Sequence, residues 1–423
     1  MPDMNPLIYL FIEIALTVFI IGFTAPFSAL RPVGLLIITL CVIRCIPNCM
    51  PYMIRTPWAA LVGGYSITYL YHYLDIALLS RWSFKHRAPV SGLLRPAANS
   101  VRSRETLQLQ GSGSSWDKFA FGLNLASTFR FIGTEYEVRN APRATVSDSR
   151  DFRRRTLLTI LFSYCVLDFI NSNNDLSIST RYLTPEKIPL LSRLHQVTAE
   201  ELTIRLFTVL VSCIGLICVQ GGVYHIFALV AVRAKVTQPS AWPPFYGSAR
   251  EAYTLRQFWD IFWHQTNTRK FSSIAHYTTH VLIGLPRGTV IARYFRIVVA
   301  FMCSGFMHLL DDRAAGISVS DSGAMRFFLT QGLGLILEDC VLKLYGRCPS
   351  CMQISRGTAR IIGFAWVLVF LTWSVPVYMY PMLWRANQGL QDSTIPFSLF
   401  GPRAEMVKAL GFLSLVSTLA LTG

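Results

Sequence analysis

Long apolar stretches separated by short polar segments dominate this chain of 423 residues. Most of them approach or exceed about 20 residues, the length at which a helix crosses the hydrocarbon core of a bilayer. Helices are the natural solution there, because the backbone of a spanning segment must satisfy its hydrogen bonds internally. The pattern predicts spans at residues 7–30, 33–49, 58–79, 156–170, 206–232, 290–310, 327–344, 361–380 and 406–421.

Two stretches depart from this simple pattern. Residues 119–132 are apolar but short, so they are predicted as a tenth span, a re-entrant segment or an interfacial helix. Residues 206–232 exceed the length of a straight span, so we expect them to tilt or to break at Gly221-Gly222. The predicted fold is all-α, a polytopic integral membrane protein of about 8–10 transmembrane helices.

Composition supports a membrane protein, since hydrophobic residues make up 52% of the chain and charged residues 15%. Soluble domains usually carry about 25% charged residues. The net charge of +16 is read as cytosolic loop charge and contact with anionic lipid headgroups. Nucleic-acid binding is not expected, because no basic stripe interleaved with aromatic residues accompanies the charge.

The basic residues also predict the organisation of the chain. Residues 81–155 are strongly basic and contain the Gly- and Ser-rich stretch 111–115, so this loop is expected to be cytosolic and partly flexible. The N-terminus then faces the lumen. We divide the chain into N-terminal transmembrane helices at 1–80, this loop at 81–155, and a catalytic transmembrane core at 156–423.

One histidine lies inside a predicted span, in the segment FMCSGFMH that ends at His308. Ionisable residues inside spans are costly and indicate function by default. Ser304 precedes His308 by one helical turn, and Gly305 leaves room for a close neighbour. Asp311 and Asp312 follow by three and four residues, so either could orient the imidazole. A general base and a histidine satisfied by a neighbouring helix both fit this segment.

A second segment, LRQFWDIFWHQ at residues 255–265, combines aromatic residues with a cation and a histidine. At helical spacing Trp259 and Trp263 share a face, and Arg256 can pair with Asp260. This composition fits an amphipathic interfacial helix and also fits the wall of a binding cleft that includes His264.

Two other patterns suggest metal binding without establishing it. His276 and His280 have a spacing that can bind a metal on one helix face, and Cys348 and Cys351 form a CxxC pair. Neither pattern has the further ligands that would complete a site. We expect no metal.

Together, FWDIFWHQ and the SGFMH of the span resemble the wax-synthase-like branch of the membrane-bound O-acyltransferases. A third stretch, RFIGTEYEVRN at residues 130–140, is similar to the R-G-I-G-T-x-W-E-V-x-N signature of that family. This chain has Phe131 where glycine is usual and Tyr136 where tryptophan is usual. The resemblance runs from about Arg130 to about Trp373, and it is closest to fungal enzymes that O-acetylate terpenoids and meroterpenoids.

The resemblance implies a reaction chamber within the membrane and a transfer of acetyl from acetyl-CoA, a co-substrate, to a hydroxyl of a lipophilic terpenoid. No permanently bound cofactor is expected. His308 would be the general base. His264 stands where many relatives have asparagine, and it could donate a hydrogen bond to the developing oxyanion. The residues implied to contact CoA are Arg256, Trp259, Trp263, Arg269 and Lys270, and those implied to contact the acceptor are Phe258, Ser304 and Gly305.

Two other functions remain open at this point. Motifs do not separate acetyl transfer from a long-chain wax ester synthase that uses fatty alcohols. A proton-coupled transporter could use His308, Asp311 and Asp312 as a relay. The expected location is the endoplasmic reticulum membrane.

Overall fold

The computed structural model describes residues 4–94, 113–144, 148–347, 354–386, 393–400 and 405–421. The α-helices are α1 (Pro6–Phe23), α2 (Leu30–Met53), α3 (Thr56–Tyr73), α4 (Ser115–Ser127), α5 (Ser149–Ser172), α6 (Leu176–Tyr182), α7 (Ala199–Arg233), α8 (Leu255–Gln257, a single turn), α9 (Thr268–Tyr277), α10 (Val290–Ala314), α11 (Ala324–Tyr345), α12 (Arg356–Ser374), α13 (Pro376–Ala386) and α14 (Met406–Leu421).

Shorter elements connect these helices. Three π-helical turns occupy Leu74–Leu79, Phe258–Phe262 and Thr278–Leu282, and 3₁₀ turns occupy Pro185–Lys187, Leu191–Gln196, Pro239–Ala241 and Ala249–Glu251. Strands β1 (Trp82–Ser83) and β2 (Ala88–Pro89) pair antiparallel, with Trp82 opposite Pro89. The all-α fold is thus confirmed.

Among the described residues, five helices are long and apolar enough to cross a membrane: α1, α2, α7, α10 and α12. The pair α5 and α6, bent by 75°, makes a sixth if it forms one broken span. Each predicted span overlaps a helix, but the first ends early, and the span predicted at 361–380 is divided between α12, which ends at Ser374, and α13, which begins at Pro376. α1 stops at Phe23, because Thr24 is extended and its hydroxyl donates back to the carbonyl of Ile20.

The structure narrows two predictions that had alternatives. Residues 119–132 are not a tenth span, because α4 has 13 residues and its length of about 20 Å cannot cross the hydrocarbon core. Residues 206–232 do not break at Gly221-Gly222, since α7 runs unbroken through 35 residues. A Cβ added at Gly222 would lie 3.7 Å from Ser163 Cβ, an ordinary van der Waals distance, so α7 packs on α5 beside this residue.

The chain divides into two units. The first comprises Met1–Arg139 and Gln265–Pro349, where α10 packs against α3 and α11. α4 crosses α1 so closely that a Cβ at Gly122 would lie 2.1 Å from the carbonyl oxygen of Val18. Buried Arg31, at the start of α2, donates to the carbonyl oxygens of Ala77 and Trp82 and so ties the chain after α3 to this unit.

The second unit comprises Asn140–His264 and Ser350–Gly423, where α5 packs along α7 and α14 packs on both. Buried Arg205 of α7 donates to the carbonyl oxygens of Lys187, Ile188 and Thr372. Near the C-terminal end of α5, Asp168 accepts hydrogen bonds from Ser398 Oγ at 2.6 Å and from the backbone nitrogen of Leu399 at 2.5 Å. Polar side chains thus join distant segments within this unit.

Candidate active site

His308 lies on α10 in the first unit, and its Nδ1 is 2.9 Å from Asp311 Oδ2. α10 begins after Thr289, whose hydroxyl accepts a hydrogen bond from the nitrogen of Ala292, and ends before Ala315, after which Gly316 has a φ of +79°. The spacing of three residues places both side chains on one face. The expectation that a following carboxylate contacts His308 is confirmed, and the carboxylate is that of Asp311.

The neighbouring carboxylate has a different partner. Asp312 Oδ2 accepts a hydrogen bond from Ser322 Oγ at 2.5 Å, in the connection between α10 and α11. Asp312 is completely buried. Positions three and four residues after His308 both lie near its face of the helix. The two carboxylates therefore differ in their partners: Ser322 engages Asp312, and Asp311 contacts the imidazole.

The imidazole of His308 stacks on the ring of Phe328 from α11, with ring centroids 4.5 Å apart and planes inclined by 4°. Gly305, one turn earlier on α10, makes this possible. A Cβ there would lie 3.0 Å from Met325 Sδ and 3.4 Å from Phe328 Cβ. The predicted close neighbour of Gly305 is therefore α11, and this glycine serves helix packing. Ser304 lies on the same helix and is half-buried.

The Trp-rich segment lies in the second unit, and it is not the long interfacial helix that the sequence allowed. α8 gives way to the π-helical turn Phe258–Phe262, and Trp263 is extended. The backbone nitrogen of Trp263 donates to the carbonyl oxygen of Phe258 at 2.7 Å. This turn stacks the two rings at a centroid distance of 5.6 Å. The predicted pair of Arg256 and Asp260 is present at 4.0 Å.

A close backbone approach holds this turn in place. The nitrogen of Gly247 donates to the carbonyl oxygen of Phe262 at 2.9 Å. A Cβ at Gly247 would lie 2.0 Å from the carbonyl oxygen of Ile261, so a larger residue would push the two segments apart. The Trp-rich turn is therefore pinned by backbone contacts of the second unit.

His264 lies within a group of aromatic rings in the same unit. It stacks on Phe245 at a centroid distance of 5.3 Å. The rings of Tyr246 and Trp263 also contact it, with their planes inclined to the imidazole by 81° and 41°. The hydroxyl of Tyr246 donates to Gln220 Oε1 at 2.5 Å, and burial raises the pKa of Tyr246. The sequence interpretation missed Phe245 and Tyr246, although the PPFY stretch that contains them precedes the Trp-rich segment by few residues.

Arg269 and Lys270, which the resemblance implies as contacts of CoA, are buried in α9. Arg269 donates to Asp75 Oδ2 at 3.2 Å and to the carbonyl oxygen of Tyr136 at 3.0 Å. Lys270 Nζ donates to the carbonyl oxygen of Thr266 and to the side chain of Asn267. These buried contacts give both cations a role in joining parts of the first unit, and this position does not favour contact with CoA phosphates.

Burial lowers the pKa of Lys270 to about 7, an effect that the charge of Asp75 opposes and that of Arg269 reinforces. Lys270 Nζ also lies 4.1 Å from the ring centroid of Phe129. This cation–π contact favours the charged form, so burial is what lowers the pKa of Lys270.

The segment 130–140 explains one departure from the family signature. Phe131, where glycine is usual, has a φ of +53°, the left-handed conformation that glycine adopts without cost. Its buried ring stacks on Trp82 at 5.2 Å, and the guanidinium of Arg269 lies 3.8 Å from its centroid. The chain therefore keeps the backbone turn and fills the space beside it with an aromatic ring.

Metal binding gains no support from the described residues, among which no group of three or more His, Cys, Asp or Glu side chains could hold an ion. The rings of His276 and His280 are 4.7 Å apart, and His280 Nδ1 is hydrogen-bonded to the carbonyl oxygen of Leu285. Cys348 and Cys351 lie outside the described residues.

Comparisons with known proteins match the part of the chain that contains the Trp-rich turn and His308. The model of the membrane bound O-acyl transferase family matches residues 242–330, which include both the Trp-rich turn and His308. The chain is 32% identical over 323 residues to acetyltransferase aurG of Calcarisporium arbuscula, covering 74% of this chain and 76% of the relative. It is 30% identical to acetyltransferase fsoF of Humicola fuscoatra, covering 77% of this chain and 83% of the relative.

A third relative, acetyltransferase ataH of Aspergillus terreus, is 32% identical over 300 residues that cover 69% of this chain and 98% of the relative. No solved structure matches. The likeness to these fungal enzymes extends over most of both chains. This chain therefore belongs to the membrane bound O-acyl transferase family and is a multi-pass membrane O-acyltransferase.

Proposed function

We propose that the protein transfers acetyl from acetyl-CoA to a hydroxyl of a lipophilic terpenoid or meroterpenoid alcohol in the endoplasmic reticulum membrane. The observation that carries the proposal is His308, a histidine inside an apolar helix whose Nδ1 contacts the Asp311 carboxylate at 2.9 Å. The relatives are named acetyltransferases, which favours acetyl as the transferred group.

In the proposed reaction, His308 Nε2 accepts the proton of the acceptor hydroxyl while the hydroxyl oxygen attacks the thioester carbonyl. The tetrahedral intermediate expels CoA as a thiolate, and the imidazolium returns its proton to that sulfur. The ester and the CoA thiol leave, and the histidine is neutral again. No covalent enzyme intermediate is needed, because a thioester is already an activated acyl donor. Proton removal at a tuned histidine contributes typically about 10²–10⁴-fold in rate.

The environment of each substrate is consistent with this chemistry. CoA is polyanionic and soluble, whereas a terpenoid alcohol partitions into lipid. Arg256 is the partly exposed cation of the Trp-rich turn, with its side chain 34% accessible, and it is the residue that we propose for contact with CoA together with Trp259 and Trp263. Phe258 and Ser304 remain candidates for contact with the acceptor. Phe258 is buried, so that role would require its neighbours to move.

The test is His308→Ala in a membrane fraction, with release of the CoA thiol from acetyl-CoA followed in the presence of a panel of polycyclic terpenoid alcohols. We expect a loss of turnover of about 100-fold or more at normal expression. His195→Ala is the matched control, because His195 is exposed on a 3₁₀ turn of the second unit.

Two results would contradict the proposal separately. Full turnover in His308→Ala would remove His308 as the base. Turnover with palmitoyl-CoA and hexadecanol, but with no acetyl-CoA pair, would make the protein a wax ester synthase and overturn the acetyl donor.

A further inference from the structure

We propose that Asp311 is a positioning residue for the transfer reaction, which fixes the protonation and the plane of the His308 imidazole, and that Gly64 on α3 holds the Asp311 carboxylate in place. This inference rests on the proposed role of His308 as the base. It adds two residues that do not touch either substrate.

The contact with Asp311 decides which nitrogen of His308 carries the proton. An ionised carboxylate can only accept hydrogen bonds, so at 2.9 Å from Asp311 Oδ2 the Nδ1 atom must be the donor. In the neutral imidazole the other nitrogen, Nε2, then carries the lone pair. The contact therefore selects the tautomer in which Nε2 can accept the proton of a hydroxyl. Without the carboxylate both tautomers would be available, and one of them has no base at Nε2.

His308 gains a positive charge during the proposed reaction. Asp311 keeps its negative charge while His308 becomes an imidazolium, so the pair passes from charge–dipole to charge–charge attraction. The Asp311 side chain is 11% accessible and the His308 side chain 22%. Poor access of water strengthens this attraction relative to an exposed pair. The carboxylate thus favours the protonated intermediate state without taking the proton itself.

The Asp311 carboxylate also lies against the backbone of α3. A Cβ added at Gly64 would lie 3.1 Å from Asp311 Oδ1 and 3.5 Å from its Cγ, so the backbone of α3 passes directly behind the carboxylate. Among the residues that the structure describes, Oδ1 has no hydrogen-bond partner. The carboxylate is therefore held by the helix behind it on one side and by His308 on the other.

Other titratable groups near the pair set the background for its behaviour with pH. Asp312 on α10, Tyr71 on α3 and Cys49 on α2 lie close enough to interact electrostatically with Asp311. None of the three replaces the contact at Nδ1, because Asp312 is bonded to Ser322 and the hydroxyl of Tyr71 donates to the carbonyl oxygen of Cys303. Asp312→Asn is therefore the control for Asp311→Asn.

The experiment compares Asp311→Asn with Asp312→Asn in the assay of CoA thiol release. Both variants change a buried carboxylate to an amide on consecutive residues of one helix, but only the first changes the contact with His308. We expect kcat of Asp311→Asn to fall by about 100-fold or more, with KM for acetyl-CoA within about twofold of the native value. We expect Asp312→Asn to retain kcat within about fivefold at the same expression level.

The pH profile supplies a readout that a purely structural role would not move. The residual activity of Asp311→Asn should have its acid limb at lower pH than the native enzyme, because loss of the carboxylate favours the neutral imidazole. Asp311→Glu should recover part of kcat, because it restores the charge at a displaced position. An unchanged acid limb, or a kcat of Asp311→Asn within about threefold of native, would overturn the inference.

Should Asp311→Asn fail to fold, Gly64→Ala decides the question. Its added methyl pushes on Asp311 Oδ1, whereas in Gly215→Ala the added Cβ meets nothing within 4 Å. A lower kcat in the first and native kcat in the second support the inference, and native kcat in both overturns it. A failure of the underlying function is distinguishable, because then either the native protein would not turn over acetyl-CoA or His308→Ala would keep full activity.

Discussion

The ring of Phe328 lies parallel to the imidazole of His308, at a centroid distance of 4.5 Å and an angle of 4°. Face-to-face contact at this distance fixes the plane in which Nδ1 and Nε2 lie. The stack depends on the close approach of α11 to α10 at Gly305. The orientation of the proposed base is thus set by three helices, through Phe328 on α11, Asp311 on α10 and Gly64 on α3.

Replacing Gly305 by valine should misorient His308 without touching it. The new side chain would collide with the backbone of Met325, which lies 3.2 Å from the position of a Cβ, so α11 must move away. A displacement of the reacting group by about 1 Å can cost about 10²-fold in rate, and we expect kcat to fall at least tenfold. Gly215→Val, at an open position of α7, is the control. Equal rates for the two variants would contradict the role of Gly305.

His264 can be tested against the asparagine that many relatives have at its position. We expect His264→Asn to keep partial activity, because the amide can donate a hydrogen bond as the imidazole can. His264→Ala should lose about 10²–10³-fold in kcat if the side chain donates to an oxyanion. The comparison is made by kcat in membranes that hold equal amounts of protein. If asparagine and alanine were equally damaging, a hydrogen-bond donor would not be the property that matters.

Phe131→Gly would restore the residue that is usual in the family signature, yet we expect it to destabilise this protein. Glycine relieves the left-handed strain, which is worth about 1–2 kcal/mol. Removal of a buried phenylalanine ring costs about 3–5 kcal/mol, since the contacts with Trp82 and Arg269 are lost. Thermal unfolding in detergent should rank native above Phe131→Leu and Phe131→Leu above Phe131→Gly. A glycine variant as stable as the native protein would show that the ring contributes no more than the strain that glycine relieves.

The buried amine of Lys270 predicts a pH dependence of stability. Its pKa of about 7 in the folded protein lies below that of an unfolded lysine, which is about 10.4. Between these values the unfolded chain binds a proton that the folded chain does not, so this group makes the native protein more stable as pH rises. Below about pH 7 both states are protonated, and the full cost of burying the charge is present.

Lys270→Met removes this dependence. Relative to the native protein, the methionine variant should gain stability most below pH 7, and the difference should shrink between pH 7 and pH 9. Melting temperatures measured at several pH values would check this, with Lys85→Met as the control at an exposed position. A difference independent of pH would show that Lys270 keeps its charge in the folded protein.

The sequence predicted the helical membrane fold and the contact at His308 because both depend on local periodicity. A run of apolar residues is sufficient to indicate a helix in a bilayer, and a spacing of three residues places His308 and Asp311 on one face. The same local rules could not predict Phe328, which belongs to another helix and approaches only because Gly305 has no side chain.

Local patterns also misled in three places. The Gly221-Gly222 pair suggests a break by local rules, but α7 continues through it and packs on α5 beside Gly222. The charges of Arg269 and Lys270 suggest contact with the phosphates of CoA, although Asp75, Tyr136 and Thr266 provide buried partners. The Trp-rich segment satisfied a helical spacing, yet its turn is π-helical, and the contact that results joins residues five apart.

The unbroken length of α7 has a consequence for the membrane that holds this protein. Its 35 residues extend about 52 Å at 1.5 Å per residue, against a hydrocarbon core of about 30 Å. The polar contacts of Arg205 and Glu201 at its first turns suit the headgroup region, but the remaining apolar residues still exceed the core by about 10 Å. The helix must therefore tilt steeply or the bilayer must thicken around it. Hydrophobic mismatch at α7 would make this enzyme sensitive to the acyl-chain length of the surrounding lipids, independently of its substrates.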